Sequence, residues 1–292
     1  MKACADCVPC LMKRVLFQAR LIGDPNEFRT VQSALREYAA GFTEGVCSAD
    51  VATRVHRVAY ESMGCEDPYR QLKLDADRIA ADYVADAEAF IDSSGDRFAA
   101  AVRVSIIGNI MDFGSGVAID DPEEFRRMFG SLLAEGIGSD DTAKLRELVE
   151  SSGTVLYAFD NCGEVMFDKL LVREIKAMGK RVVCVVRGKP ILNDVAYGDA
   201  VRAGVGEIAD RIVTTGAFAV GFPPAVCDEG LAEELPRAGV LITKGMANYE
   251  SLSDMDLNVP VAYLLRAKCA PVSRSLGVPM GTNVVRVSLP GR

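Results

Sequence analysis

A chain of 292 residues, 49% hydrophobic and 25% charged, with no tryptophan, has an ordinary globular composition and enough apolar material for a large core plus a smaller second unit. A formal net charge of -8 with no basic stripe argues against a nucleic-acid binder. No apolar run approaches the roughly 20 residues of a membrane span, and the amino end lacks the apolar core of a signal peptide, so the expected setting is the cytoplasm.

The first motif is Cys4, Cys7 and Cys10, spaced C-x2-C-x2-C. Thiolates so spaced can converge on zinc or an iron–sulfur cluster, with Cys47, Cys65 or Cys269 as a fourth ligand; the alternative is a cysteine-rich start packed on a helical domain. The nine cysteines are odd in number and scattered, as expected of reduced thiols. Residues 8 to about 100 carry helical periodicity. Leu11, Val15, Leu16 and Ala19 form one face, Phe28, Val31, Leu35 and Tyr38 a second, Val51, Val55, Val58 and Ala59 a third, and Tyr69 to Val84 continue the pattern. Mixed charge suggests solvated outer faces. The only histidine, His56, is expected on a surface or half-buried helical position, which disfavours Ser-His-Asp or Cys-His catalysis. Residues 97–116 are expected to be helical, with Asn109 and Asp112 emerging after an apolar stretch, and helices start at Asp121-Pro122 and Asp140-Asp141.

From residue 154 the pattern becomes strand, helix, strand. The apolar run Val155–Phe159 stops at Asp160-Asn161, and a helix follows with Phe167, Leu170, Leu171, Ile175 and Met178 on one face, ended by Gly179. Strands are expected at Arg181–Val186, Ala209–Thr214, Gly239–Ile242 and Val259–Leu265, with helical segments near 195–203, 224–235 and 247–253. The expectation is an α/β fold: a doubly wound, largely parallel sheet over 97–292 and a smaller amino-terminal helical domain over 1–96. Such sheets gather ligand sites at the carboxyl ends of their strands. Asp160, Asn161 and Asp194 would supply hard oxygen ligands for a divalent cation there. Lys189 and Lys244, with the helix amino terminus after Asn161, would hold a phosphate beside it. Asp168 and Glu174 are expected to be solvated charges, Glu164 to cap its helix or orient a water, Asp199 to support the site or be a plain helix residue, and Cys162 and Cys184 to be small core residues.

FDNCGE at 159–164, RGKPILND at 187–194, GNIMDFG at 108–114, TKGMANYE at 243–250 and AKCAPVSRSLGVP at 267–279 resemble the DUF89 family, over nearly the whole chain, and the cysteine motif resembles its compact, archaeal-type branch. The family consists of metal-dependent damage-control phosphatases related to ARMT1-like proteins and to the domain fused to some pantothenate kinases. The resemblance implies Asp160, Asn161 and Asp194 as metal ligands, Lys244 as the lysine that holds the phosphate, and Asn109, Asp112 and Glu250 as further cleft positions. It also implies activity on sugar phosphates or damaged phosphometabolites, supported by Mn2+, Co2+, Ni2+ or Mg2+; some members have been proposed to be S-adenosylmethionine-dependent carboxyl methyltransferases. Because Asp160-Asn161-Cys162 lacks the second aspartate of D-x-D, attack by metal-activated water is expected rather than an aspartyl-phosphate route. A dinucleotide fold would need a G-x-G-x-x-G turn that Gly163 alone does not supply. The remaining alternatives are a methyltransferase on the same sheet and a noncatalytic metal or iron–sulfur protein built on the amino-terminal cysteines.

Overall fold

The computed structural model describes residues 1–110 and 122–291, with the side chains of the second stretch described from residue 128 onward. Seven strands form one sheet: β1 (Ser139–Asp140), β2 (Thr154–Ala158), β3 (Arg181–Val186), β4 (Arg211–Thr214), β5 (Val240–Lys244), β6 (Val261–Arg266) and β7 (Asn283–Ser288), in the order β1-β7-β6-β5-β2-β3-β4. All neighbours pair in parallel except β6 and β7. Val155, Tyr157 and Phe159 enter one apolar cluster while Leu156 and Ala158 enter another. The sheet is thus buried on both faces, which is why its central strands are nearly continuous apolar runs.

The first face is covered by α4 (Arg70–Ala81), α5 (Val84–Ser93), α6 (Arg97–Gly108), α7 (Pro122–Ala134), α8 (Thr142–Ser151), α9 (Glu164–Ala177) and α10 (Tyr197–Arg202). The second carries α11 (Glu229–Glu234), α12 (Gly245–Leu252) and α13 (Ala270–Leu276). The expected helix over 224–235 is instead a single turn at Pro224–Val226, then α11, then a turn at Leu235–Arg237, because prolines at 223, 224 and 236 interrupt the hydrogen-bond ladder. Strand β7 and its partner β1 close the sheet at an edge that the expected strand set, ending at Leu265, did not contain.

The amino-terminal layer is α1 (Cys7–Leu21), α2 (Glu27–Gly41) and α3 (Ser48–Met63), packed through Leu11, Val15, Ala34, Tyr38, Val51, Val55 and Ala59. Helix α2 buries Thr30, Ala34, Tyr38 and Gly41, while Phe28 and Leu35 of the expected face are 81% and 47% exposed. Small residues win that face because they let α2 lie close to α3: a Cβ on Gly41 would meet Arg54.

The chain runs outward from β2 through β3 to β4, then returns to the other side of β2 with β5, so the strand order reverses between β2 and β5. Ala158 is in register with Val185 of β3 and with Thr243 of β5. Two residues beyond each stand Asp160, Arg187 and Gly245, side by side at the reversal, where open parallel sheets hold ligands.

Candidate active site

Asp160 and Asn161 leave β2 and meet the turn after β3. Asn161 and Asp194 form an isolated antiparallel bridge, Val195 N donates to the Asp160 carbonyl (2.8 Å), and Cys162 N donates to the Asn193 carbonyl (2.8 Å). Backbone pairing therefore brings the three expected oxygen ligands together. All three line a cavity of about 170 Å³ whose other walls come from α1, α3, α12 and the start of α13. Gly245, at φ +73°, makes the close approach feasible, since a Cβ there would stand 1.8 Å from Asp160 Oδ2.

The cation among these carboxylates is one the sequence analysis did not single out. Arg187 is 1% exposed; its Nε donates to Asp194 Oδ2 (2.6 Å), its Nη2 to Asp160 Oδ1 (3.4 Å) and its Nη1 to Asn248 Oδ1 (2.9 Å). Burial pushes the Asp194 carboxyl up, and the Arg187 guanidinium, then Lys73 and Arg14, pull against it. Asn161 Nδ2 donates to Asp160 Oδ2 (2.9 Å) and Glu164 Oε2 (3.1 Å), which leaves its Oδ1 as the atom it can offer a cation. Asn109 Nδ2 donates to Glu164 Oε2 (2.9 Å) and Asp160 Oδ2 (3.4 Å) from behind.

Lys244 occupies a different place from the one expected. It is fully buried and off the cavity wall, with Nζ donating to Glu164 Oε1 (2.5 Å) and the Ser105 carbonyl (2.8 Å) and lying 3.0 Å from Asp168 Oδ1. Burial opposes its charge, yet Asp168 and Glu164 outweigh burial and lift its pKa. Asp168, expected in solvent, is fully buried and accepts from Ser105 (2.8 Å) and Tyr157 (2.9 Å); Oδ2 has no hydrogen-bond partner among the described residues. Burial pushes its carboxyl up to about 7 even with Lys244 beside it. Glu164 accepts from the Asn161 backbone N–H just ahead of its helix and ties Lys244 to Asn161 and Asn109.

The other expected positions divide. Glu250 lines the same cavity; burial raises its pKa, and the chain's amino terminus and Arg14 oppose the rise. Lys189 is exposed and does not line the cavity, because the turn after β3 aims it outward. Asp112 lies outside the described residues. The backbone donors expected to hold an anion are already used: Asn161 N by Glu164 (3.4 Å), Cys162 N by Asn193, and Gly163 N by Asp77 Oδ1 (2.7 Å). His56 is 1% exposed, shares hydrogen bonds with Gln18, and lines the cavity; burial, then Arg14, lowers its pKa to about 3. Asp199 pairs with Lys73 (3.3 Å) and Arg202 (2.8 Å), and Cys162 and Cys184 are buried.

Cys7, Cys10 and Cys269 also line the cavity, and the Cys4 and Cys7 sulfurs are 3.8 Å apart. Among the described residues no three His, Cys, Asp or Glu side chains are arranged to hold a metal ion by themselves. The oxygen set around Asp160 is different in kind, since one of its members is an amide. Arg187 pairs with Asp160 and Asp194, and Lys244 with Glu164 and Asp168. Burying charge is costly, and burial pushes the Asp168 carboxyl up to about 7 against the pull of Lys244. Two carboxylates and an amide gathered on one cavity wall are hard oxygen donors of the kind that fit a divalent cation.

A family model for the damage-control phosphatase ARMT1-like domain matches residues 3–284. The chain belongs to the ARMT1-like family. A relative from Archaeoglobus fulgidus, named a damage-control phosphatase, is 39% identical over 98% of this chain and 99% of its own. A second from Pyrococcus horikoshii, also named a damage-control phosphatase, is 30% identical over 97% of both chains, and an uncharacterized protein of Methanocaldococcus jannaschii is 34% identical over 96% and 93%. The crystal structure of a DUF89 family protein from P. horikoshii superposes with a TM-score of 0.84 at 27% identity, covering 100% of both chains. No helix among the described residues is long and apolar enough to cross a membrane.

Proposed function

We propose that this ARMT1-like chain is a metal-dependent phosphatase that hydrolyses small phosphorylated metabolites, sugar phosphates or damaged phosphometabolites, in the cytoplasm. The observation that carries the reading is the meeting of Asp160, Asn161 and Asp194 on one cavity wall at the end of the sheet. The relatives named damage-control phosphatases support the reaction class, and nine free thiols suit a reducing compartment.

Asp160, Asn161 and Asp194 would hold Mn2+, Co2+, Ni2+ or Mg2+, and an ion bound there supplies charge for phosphoryl oxygens and acidifies water. The chain's own residues do the rest. Arg187 fixes both carboxylates from one side, through Asp194 Oδ2 and Asp160 Oδ1. Glu164 holds the Asn161 amide, Asn109 donates to Glu164 and Asp160, and Lys244 holds Glu164, making Lys244 a positioning residue rather than a phosphate contact. Glu250, which lines the same cavity, would accept hydrogen bonds from hydroxyl groups of a bound sugar. Placing these groups in advance, rather than reorganising them during reaction, is what such a site contributes to rate.

The test is release of inorganic phosphate from p-nitrophenyl phosphate and a panel of sugar phosphates by metal-stripped protein, with each of the four ions added back singly. Turnover that requires an added ion is the expected result. Hydrolysis equally fast in chelator, or none with any ion and substrate, would refute the proposal.

A further inference from the structure

We propose that Cys4 and Cys7 form a reversible dithiol at the wall of the cavity, closed to a disulfide by a small-molecule disulfide oxidant, and that closure resets the wall against which substrate binds. The dithiol stands on its own geometry; its effect on turnover rests on the phosphatase reading. The Cys4 and Cys7 sulfurs are 3.8 Å apart, and both residues are half-buried free thiols. Cys7 N donates to the Cys4 carbonyl (2.9 Å), so residues 4–7 make a hydrogen-bonded turn that leads into α1. Such a turn holds its first and last Cα within about 7 Å, which is within reach of a disulfide. Side-chain rotation then has to close the sulfurs from 3.8 Å to about 2.0 Å. Among the described residues no three side chains are arranged to hold a metal ion, so what the cysteine motif offers is this pair.

In the first step Cys4, as thiolate, attacks one sulfur of the oxidant; a mixed disulfide forms and one thiolate leaves. Cys7, as thiolate, then attacks the Cys4 sulfur and displaces the second. The two departing thiolates take up the two protons the cysteines gave up, so two protein thiols are oxidised and one oxidant disulfide is reduced to two thiols. The order follows from the surroundings. The Arg274 guanidinium lies 3.8 Å from the Cys4 sulfur, whereas burial pushes the Cys7 thiol up to about 12, and it is the thiolate that attacks. Cys7, with Ala3 and Asp6 beside it, lines the cavity that Asp160, Asn161 and Asp194 also line. Arg274 fastens the turn to α13 through Asp6 (2.7 Å) and Cys4 (3.8 Å). Drawing the two sulfurs together therefore changes a wall that the turn shares with the proposed ligands, and a displacement of about 1 Å around a substrate is enough to cost rate.

The test uses Cys10→Ser, which removes the exposed third thiol and leaves Cys4 and Cys7 as the cysteines of the tryptic peptide 3–13. Reduced protein is incubated with glutathione disulfide, remaining thiols are blocked with iodoacetamide, and the peptide is weighed and sequenced by mass spectrometry. It should be lighter by two hydrogens and carry neither label nor glutathione, and dithiothreitol should restore both thiols. Adding Cys7→Ser should trap glutathione on Cys4. In the bridged protein kcat/KM for p-nitrophenyl phosphate with Mg2+ should fall about threefold or more and return on reduction. Adding Cys4→Ser instead, with folding shown by a melt, should make kcat/KM insensitive to the oxidant. Labelled Cys4 and Cys7 after oxidation, or glutathione held on Cys4 beside a free Cys7, overturns the inference. So does an unchanged kcat/KM in fully bridged protein, or an equal loss when Cys4 is absent. A bridge that forms while neither redox state hydrolyses any substrate with any ion would instead sink the phosphatase reading and leave the dithiol standing.

Discussion

Gly245→Ala is the smallest change that should disable the site. The added Cβ would lie 1.8 Å from Asp160 Oδ2 and 2.4 Å from its Cγ, whereas Cβ atoms do not approach neighbours within 3.0 Å, so the carboxylate must retreat from 1.8 Å to at least 3.0 Å. Metal–ligand distances tolerate deviations of only about 0.2 Å, so a shift of that size removes Asp160 from any coordination set built with Asn161 and Asp194. The same movement breaks the Asn161 and Arg187 contacts to Asp160 (2.9 and 3.4 Å). Stability should fall as well, by about 1–2 kcal/mol for a side chain at a left-handed φ, which for a chain of this size lowers Tm by a few degrees. Metal-dependent phosphate release, measured with protein shown to be folded by its melt, should drop about 100-fold or more, the scale of losing a ligand or its orientation. Gly198→Ala, on α10 with open space around it, is the control and should leave both quantities unchanged. Turnover at the wild-type rate in Gly245→Ala would refute the geometry on which the site is built.

Lys244→Met leaves Glu164 and Asp168 buried without their cation; a loss of about 3–5 kcal/mol is expected in urea unfolding at pH 7, and a loss below about 1 kcal/mol would show that the pair is not the anchor described. His56 titrates near 3 in the folded chain and about 6.5 when unfolded. The unfolded chain therefore binds a proton that the native state refuses, and stability falls as pH drops from about 6.5 toward 3, at up to about 1.4 kcal/mol per pH unit. Comparing wild type with His56→Gln by urea unfolding, the stability difference should shift against wild type by about 2 kcal/mol between pH 6.5 and 5; parallel pH curves would contradict the buried neutral imidazole.

The ligand side of the site was legible because it obeys local rules: an apolar β-branched run ending in Asp160-Asn161, then a helix, predicts a strand end with oxygen donors regardless of the rest of the chain. The cation side was not. Arg187 and Lys189 both sit in RGKP, and only the register that sets Ala158 beside Val185 decides that Arg187 turns inward to Asp160 and Asp194. Asp168 did carry a local signal: it lies four residues from Glu164 and three from Leu171, on the apolar stripe of α9, where an acid implies a buried cation partner. His56 carried a similar one, since Ala52, Ala59 and Tyr60 place it on the inward stripe of α3. The α2 face was misplaced because large apolar residues were given the core, while close packing against α3 selects Ala34 and Gly41. Strand β7 owes its place to pairing with β6 from far along the chain, which no local period reports.

The most direct test of the central claim is to measure Mn2+ binding and metal-dependent phosphate release side by side in wild type, Asp160→Ala and Asp194→Ala, each shown to be folded by a cooperative melt. Wild type should bind a stoichiometric ion and hydrolyse a phosphomonoester, and both variants should lose ion binding and turnover together. Variants that still bind the ion and turn over substrate would place the chemistry elsewhere in the molecule.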